Sequence, residues 1–474
     1  MKRITAIWQS VGPRFLPFAD AATTELPLSR LLRLSLFQVS IGMAMVLLVG
    51  TLNRVMIVEM GVPAWLVGLM ISLPLLFAPL RALIGYKSDN HKSVLGWRRV
   101  PYMWFGTMMQ FGGFAIMPFA LILLSGDSNG PAWIGHAGAA LAFLLVGAGI
   151  HTTQTAGIAL ANDLAPEHVR PRVVALLYVT LLLGSAVSAI VFGELLQKFS
   201  QLHLIQIIQG VAVTTVILNC LAMWKQEARN PTLTSGTLPA VSFTAAFSRL
   251  LRTGRVLRLL VALGLGAAGF AMQDILLEPF GGQIFAMTVG QTTLLNACLV
   301  SGTVAGFAWS AHLLTKGSDP CRVASMGAVL GIIAFSGIVF APAVESVRLF
   351  TVGSTILGVG TGLFSVGMLT AAMELGSSSD SGLALGAWGA VQASAAGLAV
   401  AFSGFVRDTV SSFAMRGHFG TTLQTNATGY CFVYSIEIFM LFAALIALGP
   451  LVRVAGHSAI TMKDRKFGLV QYPG

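Results

Sequence analysis

Residues 147 to 164 read GAGIHTTQTAGIALANDL, placing His151, Thr152, Thr153, Gln154 and Thr155 in a row inside a long apolar run. A neutral imidazole in a dry site is a good axial ligand for a metal centre such as the magnesium of a tetrapyrrole. The plainer alternative is a histidine satisfied by its neighbours, with Thr and Gln bonding helix to helix at about 0.6 kcal/mol each. Four other side chains are costly in hydrocarbon and so invite a functional reading: Arg54, Asp274, Glu278 and Glu437. Asp274 and Glu278, four apart, share one helical face. Arg54 has no acidic neighbour three or four residues on, since Glu59 stands five away. It is therefore expected to pair with Asp274 or Glu278 across the outward mouth of a cleft and hold it shut; the alternative has all three reaching for the outer interface. Glu437, deep in the last apolar run, must be paired or protonated, and proton coupling through it is a further option.

Other chemistries are not encoded. There is no G-x-x-x-x-G-K-[ST] phosphate loop, no H-E-x-x-H and no nucleophile elbow. Cys220, Cys298, Cys321 and Cys431 are scattered without metal-ligand spacing and read as packing residues. The expectation is a protein that handles something without changing it covalently.

The elements that must position these residues follow from composition. The chain has 474 residues, of which 55% are hydrophobic and only 10% charged. Runs of about twenty apolar residues, enough to cross a bilayer as helix, recur along it. Breaks at Gly, Pro and charge clusters divide them into twelve spans, near 34–58, 64–86, 101–124, 132–163, 172–196, 203–224, 257–280, 290–315, 321–342, 346–374, 382–405 and 428–452. With both termini cytoplasmic, all but Arg54, Lys198, Arg348, Arg407 and Arg416 of the 29 Lys and Arg fall on or beside cytoplasmic segments, as the positive-inside rule requires. The net charge of +11 then reflects topology and attraction to anionic membrane lipid, and needs no nucleic acid. No removable signal peptide is expected in the first 27 residues.

The polar connection 225–256 divides the spans into two bundles, 34–224 and 257–452, flanked by cytoplasmic segments 1–33 and 453–474. A shift of about 211 positions lays GVGTGLFSVGMLTAAMEL (358–375) on the opening stretch, so that Gly147 meets Gly358, Gly149 meets Gly360 and Asp163 meets Glu374. YKSD (86–89) and TKGSD (315–319) echo each other after spans two and eight. An all-α polytopic chain of six plus six spans with parallel halves is the layout of the major facilitator superfamily, whose halves enclose a midplane cleft. The second repeat replaces His-Thr-Thr-Gln by Gly-Leu-Phe-Ser, so the fold alone does not demand the polar cluster.

RALIGYKSDNHKSVLGWRRVPYMWFG (81–106) resembles a modified form of the superfamily loop between helices two and three. In that pattern Gly85 allows close approach, Asp89 joins a charge network, and Arg98 and Arg99 close it. Together with GIHTTQTAGIALANDLAPEHVRPRVVALLY (149–178) and MQDILLEPFGGQIFAM (272–287), the stretch resembles the PucC/LhaA, or bacteriochlorophyll delivery, family over nearly the whole chain. The segment 12–44 leans toward its LhaA, core-antenna type. The resemblance implies a multi-pass protein of the intracytoplasmic photosynthetic membrane of a purple bacterium. It would assist assembly of light-harvesting complexes by supplying bacteriochlorophyll to antenna polypeptides. Under it His151 becomes a candidate magnesium ligand, Thr152 and Thr155 its polar surroundings, and Gln154 a partner for a ring carbonyl. Asp163, Arg170 and Arg172 are expected to form an ion network fixing helices four and five. Proton-coupled transport of a small metabolite, and a pigment-free scaffold for antenna polypeptides, are the competing readings.

Overall fold

The computed structural model describes residues 26–76, 97–125, 131–166, 169–227, 254–375 and 381–452. Gly85 and Asp89, and most of the two terminal segments and of the central connection, lie outside the described residues. Within them the secondary structure is helical throughout. The first half comprises α1 (Leu28–Glu59), α2 (Ala64–Leu76), α3 (Val100–Leu124), α4 (Ala132–Leu164), α5 (Arg170–Leu195) and α6 (Gln201–Met223). The second comprises α7 in two pieces (Gly254–Ala271 and Leu277–Phe285), α8 (Val289–Thr315), α9 (Pro320–Phe340), α10 (Val347–Leu375), α11 (Ser381–Met415) and α12 (Ala427–Leu448). Eleven of these are long and apolar enough to cross a bilayer, and the described part of α2 is shorter. A chain dissolved in hydrocarbon must satisfy its backbone internally, which dictates helices. The same solvent accounts for outward-facing Phe119, Phe439 and Ile446, which are exposed in the protein alone.

In the first half α3 packs on α4 and α6, and α1 on α5 and α6. In the second half α9 packs on α10 and α7 on α11 and α12. Apolar burial gives little drive between helices in lipid, so close backbone approach has to supply it. The repeat shows its physical basis here. A methyl group at Gly149 would stand 2.5 Å from the Gly106 carbonyl of α3, and one at the aligned Gly360 would stand 2.8 Å from the Gly327 carbonyl of α9. The halves meet through α2 against α11 and α5 against α8, pairs that the repeat interchanges.

Three elements depart from the expected spans. α1 widens to π-helix over Val46–Leu52 and Val55–Glu59. α7 breaks into a 3-10 turn at Met272–Ile275 before resuming at Leu277. α11 runs to Met415, ten residues beyond the expected 405, because its polar end is satisfied by protein: Arg407 bonds to Asp408, Gln283 and the Tyr430 hydroxyl.

Candidate functional site

The hydrogen bonds described between the halves all fall at one end of the molecule, the end carrying Arg54. The Asn53 side chain of α1 donates to the Ile275 carbonyl (2.9 Å), and Thr51 bonds to Thr293 of α8 (3.3 Å). The backbone N–H of Trp65, at the start of α2, donates to Asp408 of α11 (2.9 Å), which thereby caps a helix of the other half. Arg54, 3% exposed, donates to the Met287 carbonyl (2.9 Å).

Arg54 does not pair as the sequence led us to expect. Its ion pair is with Glu59, not with Asp274 or Glu278. The reason is the π-helix: widening the turn to i→i+5 brings residues five apart onto one face, where an α-helix would separate them. Glu278 instead accepts from Asn296 (3.2 Å) and presses its carboxylate against the Gly50 backbone, at a position where no side chain would fit. Asp274 takes a third place, in the break of α7, where its Oδ1 accepts from the Gln273 amide (2.5 Å).

That break opens onto a recess of about 230 Å³ in the second half. Gln273, Asp274, Thr303, Thr361, Ser365, Trp388 and Gln392 supply its polar groups, and Phe270, Phe364 and Leu263 part of its apolar wall. Glu437 is fully buried on α12, which packs against the same break. The sequence singled out Asp274 but gave no sign of a cavity beside it; the QD pair at 273–274, inside an apolar run without Gly or Pro, was the available signal.

The polar row on α4 winds around its helix. Thr153 is buried in the α3 contact, where its hydroxyl accepts from Gln110 (3.1 Å). Thr152 and Gln154 are buried too, and the hydroxyls of Thr152 and Thr155 donate to the Ala148 and His151 carbonyls one turn back. His151 and Thr155 lie on a half-exposed stripe with Ala148, Ile158 and Asn162. The four pigment-binding candidates therefore divide between the core and that stripe, and none of them lines the α7 recess. His151 is half-buried as a residue, and its Nδ1 is buried.

At the opposite end Arg99 donates to Asp163 (3.0 Å), with Arg98 at 3.8 Å from the same carboxylate, so α3 and α4 are tied by charge. Arg170 and Arg172, also expected in this network, begin α5, and the side chain of Arg170 lies outside the described ones. Glu227, which sequence reasoning passed over, accepts from the backbone N–H groups of Arg98 (2.6 Å), Arg99 (3.0 Å) and Val100 (2.9 Å) and so caps α3. Among the described residues no group of three His, Cys, Asp or Glu is placed to hold a metal ion.

The family model described as PUCC protein matches residues 51–456. "Protein PucC" of Rhodovulum sulfidophilum is 57% identical over 407 residues, covering 85% of this chain and 90% of its own length. An uncharacterized protein of the puhA-bchM intergenic region of Rhodobacter capsulatus is 50% identical over 470 residues, 98% of each chain. The "Bacteriochlorophyll synthase 44.5 kDa chain" of the same species is 26% identical over 89% of this chain and 95% of its own. Among solved structures, a point mutant of the nucleoside transporter NupG superposes with a TM-score of 0.67 at 14% identity, covering 90% of this chain and all of that one. At that identity the likeness speaks for the fold, which is that of a major facilitator transporter.

Proposed function

The chain belongs to the PUCC protein family, and from that premise we propose that it is a non-catalytic assembly factor for photosynthetic light-harvesting complexes, binding bacteriochlorophyll and delivering it to antenna polypeptides. The match of the family across residues 51–456, which takes in both halves, is the observation that carries the reading. The 26% relative whose name refers to bacteriochlorophyll fits the same pigment context. The protein would sit as a multi-pass chain in the bacterial inner, intracytoplasmic photosynthetic membrane with both termini cytoplasmic, in contact with lipid and antenna polypeptides.

The pigment is cargo, and the half-exposed stripe of α4 is the place proposed for it. There His151 would meet the magnesium, directly or through water, and Thr155 would lie one turn along. Thr152 and Gln154, buried behind the stripe, would hold the imidazole's helix in place rather than touch the ring. Gently solubilised protein is expected to carry near-infrared absorbance that extraction assigns to bacteriochlorophyll. His151→Ala is expected to lose most of it while keeping the parent's unfolding temperature. Unchanged pigment content and antenna assembly in that variant would remove His151 from the site, and a colourless parent protein that still captures antenna polypeptides would favour a scaffold.

A second reading, proton-coupled transport of a small metabolite, draws on Asp274, Glu278 and Glu437, carboxyl groups inside the membrane segments of one half. It requires a substrate flux that collapses with the proton gradient.

A further inference from the structure

We propose that the recess at the break of α7 binds a compact organic cation, an ammonium group carried on a small apolar body. The proposal is independent of pigment delivery, because the recess is lined by residues of the second half alone and by none of the α4 stripe proposed for the pigment.

Several features point to positive charge. The first piece of α7 ends at Ala271, so the negative end of its dipole lies at the break, facing the positive end of the second piece that begins at Leu277, and Asp274 sets the sign of the charge between them. Discontinuous membrane helices use such ends to hold cations. Asp274 stands at the same spot, and no Lys or Arg lines the recess; the described ion pair of the second half joins Arg407 to Asp408.

The hydrogen-bonding balance calls for a donor as well. Gln273 is 4% exposed and spends its amide N–H groups on the Phe270 carbonyl and on Asp274, which leaves its buried Oε1 without a partner. A buried acceptor left in that state costs about 1–3 kcal/mol, and a ligand donor would recover it. Thr303 and Thr361 donate to carbonyls of their own helices, so their hydroxyl oxygens can offer the recess only lone pairs. Trp388 contributes one N–H that has no partner among the described residues. The Phe270 and Phe364 rings, 5.5 Å apart, and the Trp388 indole provide the π faces that an ammonium group prefers.

The test is thermal unfolding of the detergent-solubilised full chain with benzylammonium, cyclohexylammonium and tetramethylammonium chlorides, against benzyl alcohol and against sodium chloride at equal ionic strength. At least one ammonium compound is expected to raise the unfolding temperature saturably, with a half-effect concentration at least tenfold below that of benzyl alcohol. Asp274→Asn, which keeps the side chain's shape, should weaken that response at least tenfold. Trp388→Phe, which removes one N–H, should weaken it less and serves as the second variant where Asp274→Asn fails to fold. An absent response overturns the proposal, as does an equal response to benzyl alcohol or a full response in Asp274→Asn. Stabilisation by sodium alone overturns the organic character of the ligand.

Discussion

At the scale of single residues, the instructive pairings join groups that an α-helical reading of the sequence keeps apart. Arg54 and Glu59 are five apart, a spacing that puts them on different faces of an α-helix, and only the π segment joins them. Hydropathy carries no trace of that widening, so the pairing was not legible. Glu227 is a sharper case because its partners lie more than a hundred residues back. Four N–H···O contacts from Arg98, Arg99 and Val100 converge on its carboxylate, at the positive end of the α3 dipole. Ordinary caps come from the residue just before a helix, and Arg99, which occupies that place, has no side-chain acceptor to offer. Glu227→Ala is expected to cost about 1–2 kcal/mol of stability, read as a lower unfolding temperature in mild detergent. Glu227→Gln, which keeps an acceptor without the charge, should fall between it and the parent. A parent-like temperature for the alanine variant would mean that water caps α3 equally well.

At the scale of elements, the twelve apolar runs and the 211-residue shift were legible because both rest on local chemistry: hydrocarbon length for the spans, and small residues at fixed spacing for the repeat. Gly149 and Gly360 occupy matching backbone contacts in the two halves, which is why the alignment found them. The break of α7 was not legible, since Met272–Ile275 contains neither Gly nor Pro, and the α11 and α12 surfaces it packs against are distant in sequence. The same close packing makes a prediction within α3. A methyl group at Gly113 would stand 2.5 Å from the Val146 side chain and 2.7 Å from the Ala142 carbonyl of α4, whereas one at Gly112 meets nothing within 4 Å. Gly113→Ala should therefore cost about 1–3 kcal/mol by forcing the helices apart. Gly112→Ala should be neutral or gain up to about 1 kcal/mol from helix propensity. Unfolding temperatures of the two variants measured side by side should fall in that order; equal values would show that the α3–α4 contact yields without cost.

For the whole molecule, the placement of contacts matters more than their number. Thr51 with Thr293, Asn53 with Ile275, Arg54 with Met287 and Trp65 with Asp408 form one belt at the Arg54 end, so any separation of the halves there must break these bonds together. Two similar bundles meeting through α2–α11 and α5–α8 can rock about that interface, and a cargo protein on this fold would use the movement to admit or release what it carries. Locking the belt tests the idea. Thr51→Cys with Thr293→Cys, in a chain whose four native cysteines are replaced by alanine, places two thiols where hydroxyls already meet at 3.3 Å, within reach of a disulfide. After oxidation and cleavage at a protease site inserted in the central linker, the halves should stay together on a non-reducing gel and part on a reducing one. In isolated photosynthetic membranes the oxidised protein is expected to stop loading pigment onto newly made antenna polypeptides, and reduction to restore it, because the locked belt holds the halves in a single arrangement. Full loading by the cross-linked chain would instead mean that cargo comes and goes with the Arg54 end shut, through the opposite end or along the outer face of α4.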